Sequence, residues 1–350
     1  MEQGFEEPIQ REREERRRRS LKTALIVIIV LFGMSVILNV IFILAVIGMA
    51  VGAGASETGM VETVIDEGQP GHGKILLIRI DGVIVRRGGF SGNTDSRMYI
   101  KKRLEAAQGA ESEYRGVLLV VNSPGGGVTE SDEILGLLKQ FRKKTGKPVV
   151  AYFQNVAASG GYYISAGCDN IIAHPTAVTG SIGVIMTFIQ AEALMDKIGV
   201  DTNVIVSSRT PFKDIGSPFR KMKDTERSML QAMVEEIYGR FVDVVAEGRK
   251  TLTRKEVLDC ATGMIYSGKE ALKKKLVDNV GSFDTAAKTV RKLAGAPKAQ
   301  IVELRSRQGL IQSLLSAQSK KVSIEVFSLE KLAQRYNGQP LYLWMPGSEK

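Results

Sequence analysis

From Thr23 to Ala50 the chain reads TALIVIIVLFGMSVILNVIFILAVIGMA, with no charged residue and no polar face. A helix crosses a bilayer with ~20 apolar residues. The run therefore predicts a membrane-spanning anchor over 23–50. It exceeds the ~7–15 apolar residues in the core of a cleavable secretory signal. Residues 51–73 are rich in Gly, Ala, Ser and Glu and close on Gly68-Gln69-Pro70-Gly71-His72-Gly73, which predicts a linker. From Lys74 onward short apolar runs alternate with helical spacing. Strands are expected at Ile75–Ile80, Val83–Val85, Val117–Val121, Pro148–Phe153, Asn170–Ala173, Ile182–Met186 and Thr202–Val206. Helices are expected over Ser96–Ala107, from a capping box at Thr129-Glu130-Ser131-Asp132, from Ser159 onward and at Ala191–Ile198. The chain then turns helical at Asp224–Lys250, Arg254–Asp259, Lys269–Lys275 and Thr285–Leu293. Alternating strands and helices predict an α/β layered domain with largely parallel pairing. The expected organisation is a basic arm at 1–22, the anchor at 23–50, the linker at 51–73, a catalytic domain at 74–296 and a tail at 297–350.

The net charge of +10 changes this picture only at the N-terminus. Arg11, Arg13, Arg16, Arg17, Arg18, Arg19 and Lys22 precede the apolar run, and the first basic residues after it are Lys74 and Arg79. The positive-inside rule places the arm in the cytoplasm and the rest across the membrane. Anionic lipid headgroups account for the cluster, so nucleic-acid binding is not inferred. Cys168 and Cys260 have no metal-type spacing, and export would permit a disulfide without establishing one. No internal repeat is visible.

Histidine occurs twice, at His72 and His174, which leaves little room for histidine-based catalysis. Ser159 lies among Ala157, Ala158, Gly160 and Gly161, small residues that let a strand turn sharply into a helix. By itself such a serine merely caps a helix. Upstream, Asn122-Ser123-Pro124-Gly125-Gly126-Gly127 forms a glycine turn after an apolar run. The N–H groups of Gly126 and Gly160 are candidate oxyanion donors. Downstream, Lys213 in Phe212-Lys213-Asp214-Ile215-Gly216-Ser217-Pro218 is a candidate general base once its amine is neutral, as apolar surroundings favour. Ser181, in Thr179-Gly180-Ser181-Ile182-Gly183, is a candidate to hold that amine. A rival by residue type is Ser159 with His174 and Asp169. The glycine turn lacks the Gly-Lys-Ser/Thr ending of a phosphate loop, and neither metal nor nucleotide is indicated.

The segments Asn122–Gly127, Ala157–Tyr163, Thr179–Val184 and Lys213–Pro218, in this order, resemble the bacterial signal peptide peptidase A family in its short, single-copy form. The resemblance covers roughly residues 74–295. It implies a crotonase/Clp protease-like fold of repeated β-β-α layers, with an N-terminal transmembrane helix and a helical C-terminal part. It also implies a membrane-anchored serine–lysine peptidase without cofactor that degrades signal peptides and other hydrophobic peptides by an acyl-enzyme route. Carried over, Ser159 is the nucleophile, Lys213 the base, Ser181 the lysine's partner, and the Gly126 and Gly160 N–H groups the oxyanion hole. The expected assembly is a ring-shaped homo-oligomer whose sites open into a cavity, with the catalytic domain outside the cytoplasm. Two departures stand out. Met264 replaces a frequent arginine and Lys275 a frequent glycine, both distant in sequence from the proposed chemistry. Alternatives are a serine–lysine protease for one membrane protein partner, a crotonase-type acyl-CoA enzyme, and a non-catalytic scaffold. The apolar Leu341–Met345 is a candidate to bind its own or a neighbouring groove.

Overall fold

The computed structural model describes residues 22, 25–26, 28–44, 60–86, 95–109, 112–306 and 341–343. The chain divides into two units, Met1–Met60 with Ser306–Ser323 and Val61–Arg305 with Ile324–Lys350. In the first unit a helix, α1, covers 28–44. Its large apolar side chains are exposed, up to 71% at Phe32. No helix among the described residues is long and apolar enough to cross a membrane. Residues 23, 24, 27 and 45–50 of the expected anchor lie outside the described residues.

The second unit is mixed α/β. Its elements begin with β1 (Met60–Asp66), β2 (Lys74–Asp81), α2 (Ser96–Gln108), β3 (Tyr114–Ser123), β4 (Gly125–Gly127) and α3 (Val128–Thr145). Then come β5 (Val149–Ala158), α4 (Gly160–Ser165), β6 (Asn170–Ala173), β7 (Val178–Gly180) and α5 (Glu192–Lys197). Next are α6 (Asp224–Gly248), α7 (Arg254–Cys260), β8 (Ile265–Ser267), α8 (Gly268–Lys273) and β9 (Asn279–Val280). Last are α9 (Phe283–Leu293), β10 (Gln300–Ser306) and β11 (Leu341–Leu343). The main sheet runs β1-β10-β2-β3-β5-β6-β9, with β7 beside β5 and β8 beside β7. The pairs from β10 through β6 are parallel.

Burial on both faces explains the continuous apolar runs. Leu118, Val120, Val150 and Ile172 meet Ala286, Ala287 and Val290 of α9 in one core cluster. Toward the opposite face, a Cβ added at Gly161 of α4 would stand 3.4 Å from Val121 Cγ1. β5 is long enough to use two partners in succession. Val150–Phe153 pairs with β6, and Val156–Ala158 pairs with β7. Its second half therefore extends past β6 and delivers the following residue to the sheet's carboxyl end.

Several expectations are corrected. A strand, β1, falls inside the expected linker; its Glu62 accepts from Lys74 Nζ at 2.8 Å and Tyr114 Oη at 2.5 Å. β10 falls inside the expected tail and is buried through Ile301, Val302 and Leu304. Strands do not form at Ile182–Met186 or Thr202–Val206. Val204 and Ile205 are instead 53% and 91% exposed, because no strand edge among the described residues pairs with them. The third helix starts from Gly127 without a side-chain cap. Ser131 Oγ donates instead to the Gly127 carbonyl at 2.8 Å, since β4 already fixes the backbone there. Only Ile84 of Val83–Val85 makes a bridge, to Gly126.

Candidate active site

Ser159 stands alone between the last residue of β5 and the first of α4. Its backbone has φ 51° and ψ −115°. A non-glycine residue at positive φ stores strain that its surroundings must impose. Here the Ser159 N–H donates to Gly180 O at 2.8 Å, and Tyr163 N–H donates to Ser159 O at 2.8 Å. The result is a sharp strand-to-helix turn of the kind that carries the serine in a nucleophile elbow. The side chain makes no cap bond, so the capping role open to the serine by sequence is not the one it plays. The residue is 1% exposed. Gly161 lets the helix press onto β3, because a Cβ there would stand 3.0 Å from Ser123 O.

Ser181 is brought beside Ser159 by register. Ala158 pairs with Gly180 in parallel, so the next residues of both strands sit at adjacent strand ends, ~4.8 Å apart in the pairing direction. Ser181 also has positive φ, 48°, and is buried. Its N–H donates to Met264 O at 2.7 Å. The substitution of Met264 for arginine is therefore next to the site in space, although remote in sequence. Lys275, at the other departure, has φ 59°, a conformation that favours the glycine frequent there.

Gly126 is fixed between two partners. Ile84 N donates to Gly125 O at 2.8 Å, and Gly127 N donates to Ile84 O at 3.0 Å. Backbone groups alternate along a strand, so the Gly126 N–H and C=O face the opposite edge. β11 occupies that edge in antiparallel register, with Tyr342 opposite Gly126. Glycine is required because a Cβ at 126 would lie 2.0 Å from Ile84 O. Beside this edge, a cavity of 370 Å³ opens between Val128, Asp132, Tyr163, Ile237 and Arg240.

Lys213 is placed differently. It sits in a series of turns, with its N–H donating to Thr210 O at 3.0 Å and Ser217 N–H donating to Asp214 O at 3.0 Å. The residue is exposed, as are Pro211 and Phe212. The apolar surroundings expected for it do not form within the described residues of this chain, because Phe212 is 41% open to solvent. No hydrogen bond among the described residues joins its amine to Ser159 or Ser181. Its neighbour Asp214 is turned to Arg220, which donates from Nε at 2.7 Å and from Nη2 at 2.9 Å. Arg220 also donates to the buried Glu226, from Nη1 at 2.8 Å and Nη2 at 2.6 Å. These bonds to the guanidinium hold both carboxyls below their ordinary range. Arg220 and Glu226 are the members that sequence reasoning missed. The one signal for them was Lys223-x-x-Glu226 at a helix start, where Glu226 accepts from Lys223 N at 3.0 Å.

The side chains of the histidine rival are engaged with other partners. His174 Nδ1 is 2.8 Å from Thr176 Oγ1. Asp169 is held by Arg142 and accepts from Val149 N at 2.8 Å. Cys168 and Cys260 are both free and buried, and burial pushes the Cys168 thiol up to about 12.

The model of peptidase family S49 matches residues 141–297. A protein named as a protease in Synechocystis sp. is 35% identical over 77% of this chain and 96% of its own length. One named as a protease in Methanocaldococcus jannaschii is 41% identical over 62% of this chain and 68% of its own. One named signal peptide peptidase SppA in Enterococcus faecium is 37% identical over 70% of each. The chain thus belongs to peptidase family S49, the signal peptide peptidase A family, and is a serine peptidase.

Proposed function

We propose that the chain is a membrane-anchored endopeptidase for signal peptides and other hydrophobic peptides, built on a crotonase/Clp-like fold. Ser159 Oγ attacks the scissile carbonyl while the neutral Lys213 amine takes its proton. The Gly126 and Gly160 N–H groups receive the developing oxyanion. The ammonium then protonates the leaving amine, and water resolves the acyl-enzyme through the same lysine. Ser181, at the adjacent strand end, holds the amine. The observation that carries this reading is the strained elbow at Ser159, in a sheet where β3 and β5 also bring the Gly126 turn alongside: Ser123 pairs with Ala157.

The chain's own Leu341–Leu343, paired with β4 and lying against α3 and α4, is the guide to how substrate binds. An extended peptide adds to this edge as a strand. The tail strand and the oxyanion compete for one N–H group, so the tail leaves before substrate enters.

The lysine comes from a neighbouring copy in a homo-oligomer. Two features support this. Lys213 is exposed with no partner for its amine among the described residues. The arm that carries it exposes Ile189, Leu194, Ile198 and Phe219 by 43–61%, an apolar surface suited to an interface. The uncharged run at 23–50 behind an arginine cluster supports anchoring, with the catalytic unit outside the cytoplasm by the positive-inside rule.

A serine-acylating fluorophosphonate probe tests this. Mass spectrometry is expected to place the adduct on Ser159, and Lys213→Ala is expected to abolish it. An adduct on another serine, or undiminished labelling without Lys213, overturns the dyad.

A further inference from the structure

Resting on that reading, we infer that Arg220 is a positioning residue for the general base: it holds the Asp214 carboxylate away from the Lys213 amine and ties the lysine turn to the start of α6. Lys213 and Asp214 are adjacent in sequence, and the lysine works only when uncharged. A carboxylate within ~4–6 Å of an amine favours the ammonium form. Asp214 adjoins Lys213 in sequence, and its carboxylate, freed from Arg220, would favour the charged form of the base.

The geometry removes it. Arg220 takes both Asp214 oxygens in the planar fork that suits a guanidinium and a carboxylate. A further donation, from Nη2 to Asp214 O at 3.3 Å, holds the backbone of the same turn. The other side of the guanidinium is fixed by Glu226, which is fully buried and also accepts from Lys223 N at 3.0 Å. No ion pair joins Lys213 to Asp214 among the described residues, whereas Arg220 pairs with both acids. The other charged side chains of this turn and the start of α6 are Arg209, Lys221, Lys223, Asp224 and Arg227. Four of these five are cations, so an exposed Asp214 would be the turn's own source of negative charge beside the amine. Gly216 completes the turn at φ 77°, where a Cβ would stand 2.4 Å from the Phe188 ring. The clamp therefore has two effects in one group. It fixes the turn and it keeps a negative charge occupied.

The test is the pH profile of kcat/KM for a quenched fluorescent apolar peptide, using the full chain. Arg220→Gln alone would strand the buried Glu226, so the variant is Arg220→Gln/Glu226→Gln. Its rising limb is expected to move up by about one pH unit, with a rate at neutral pH about tenfold lower. Adding Asp214→Asn is expected to return the limb to its wild-type position. A uniform loss of rate with an unmoved limb, or no return on adding Asp214→Asn, overturns the inference. Should the double variant fail to fold, Arg220→Lys decides. It keeps a cation for Glu226 but loses the planar fork that takes both Asp214 oxygens, so its limb is expected to rise. An unmoved limb would overturn the inference. Activity in Lys213→Ala would instead sink the dyad itself, so the two failures are distinguishable.

Discussion

The proposed nucleophile, Ser159, and the proposed base, Lys213, occupy two differently built regions. Around Ser159, three parallel strands, β3, β5 and β7, end side by side. Both residues before the serine and the six after it are buried, and its awkward backbone is imposed by bonds to Gly180 and Tyr163. Around Lys213 there is no sheet. From Ile189 to Phe219 most large apolar side chains are exposed, α5 has no buried residue, and Arg220 ties the lysine turn to the start of α6. Strain needs a rigid setting, which one chain supplies at the elbow. A dry pocket for an amine needs apolar cover, which one chain does not supply at the lysine. On the proposed function, the contrast means that half of the machinery is prebuilt and half awaits assembly.

This difference can be sharpened by perturbing each side. Within the prebuilt half the largest effect falls on Gly126→Ala. The added Cβ would collide with Ile84 O at 2.0 Å and displace the N–H that faces the strand edge. Losing one oxyanion donor costs ~2.7–4 kcal/mol of transition-state stabilisation, or ~10²–10³ in kcat. Peptide hydrolysis under saturating substrate measures it, and a kcat within threefold of wild type would break the claim that this half is preorganised. A smaller effect is expected from ending the chain at Pro340. Removing Leu341–Leu343 frees the β4 edge of its internal competitor, so KM for peptides falls severalfold while kcat holds. An unchanged KM would show that the edge is not where substrate pairs.

The sequence made the prebuilt half legible for physical reasons. Among the small residues of these two turns, Gly126 and Gly161 sit where a Cβ would stand 2.0 Å from Ile84 O and 3.0 Å from Ser123 O, and Gly125 has φ 103°, a conformation that favours glycine. Asn170–Ala173 and Ser96–Gln108 were readable because burial and period coincide there. β10 was hidden by Glu303 and Arg305, charges that pair with each other at 2.8 Å, Glu303 pairing also with Arg79 at 3.3 Å. The lysine arm misled in the opposite direction. Its β-branched run at Thr202–Val206 has the composition of a strand, but strand propensity is a fit to a pleated, half-buried surface, and this chain offers none there. Arg220 escaped notice because a surface arginine and a clamp look alike until the acids six residues to either side are seen to converge on it.

The central claim is that a serine prepared by one chain is completed by the lysine of another. Co-expressing Ser159→Ala and Lys213→Ala chains in equal amounts tests it most directly. Neither variant alone is expected to cleave peptide. In mixed oligomers with head-to-tail contacts, roughly a quarter of sites pair an intact serine with an intact lysine, so about a quarter of wild-type activity is expected. Mixed oligomers with no activity would contradict the account.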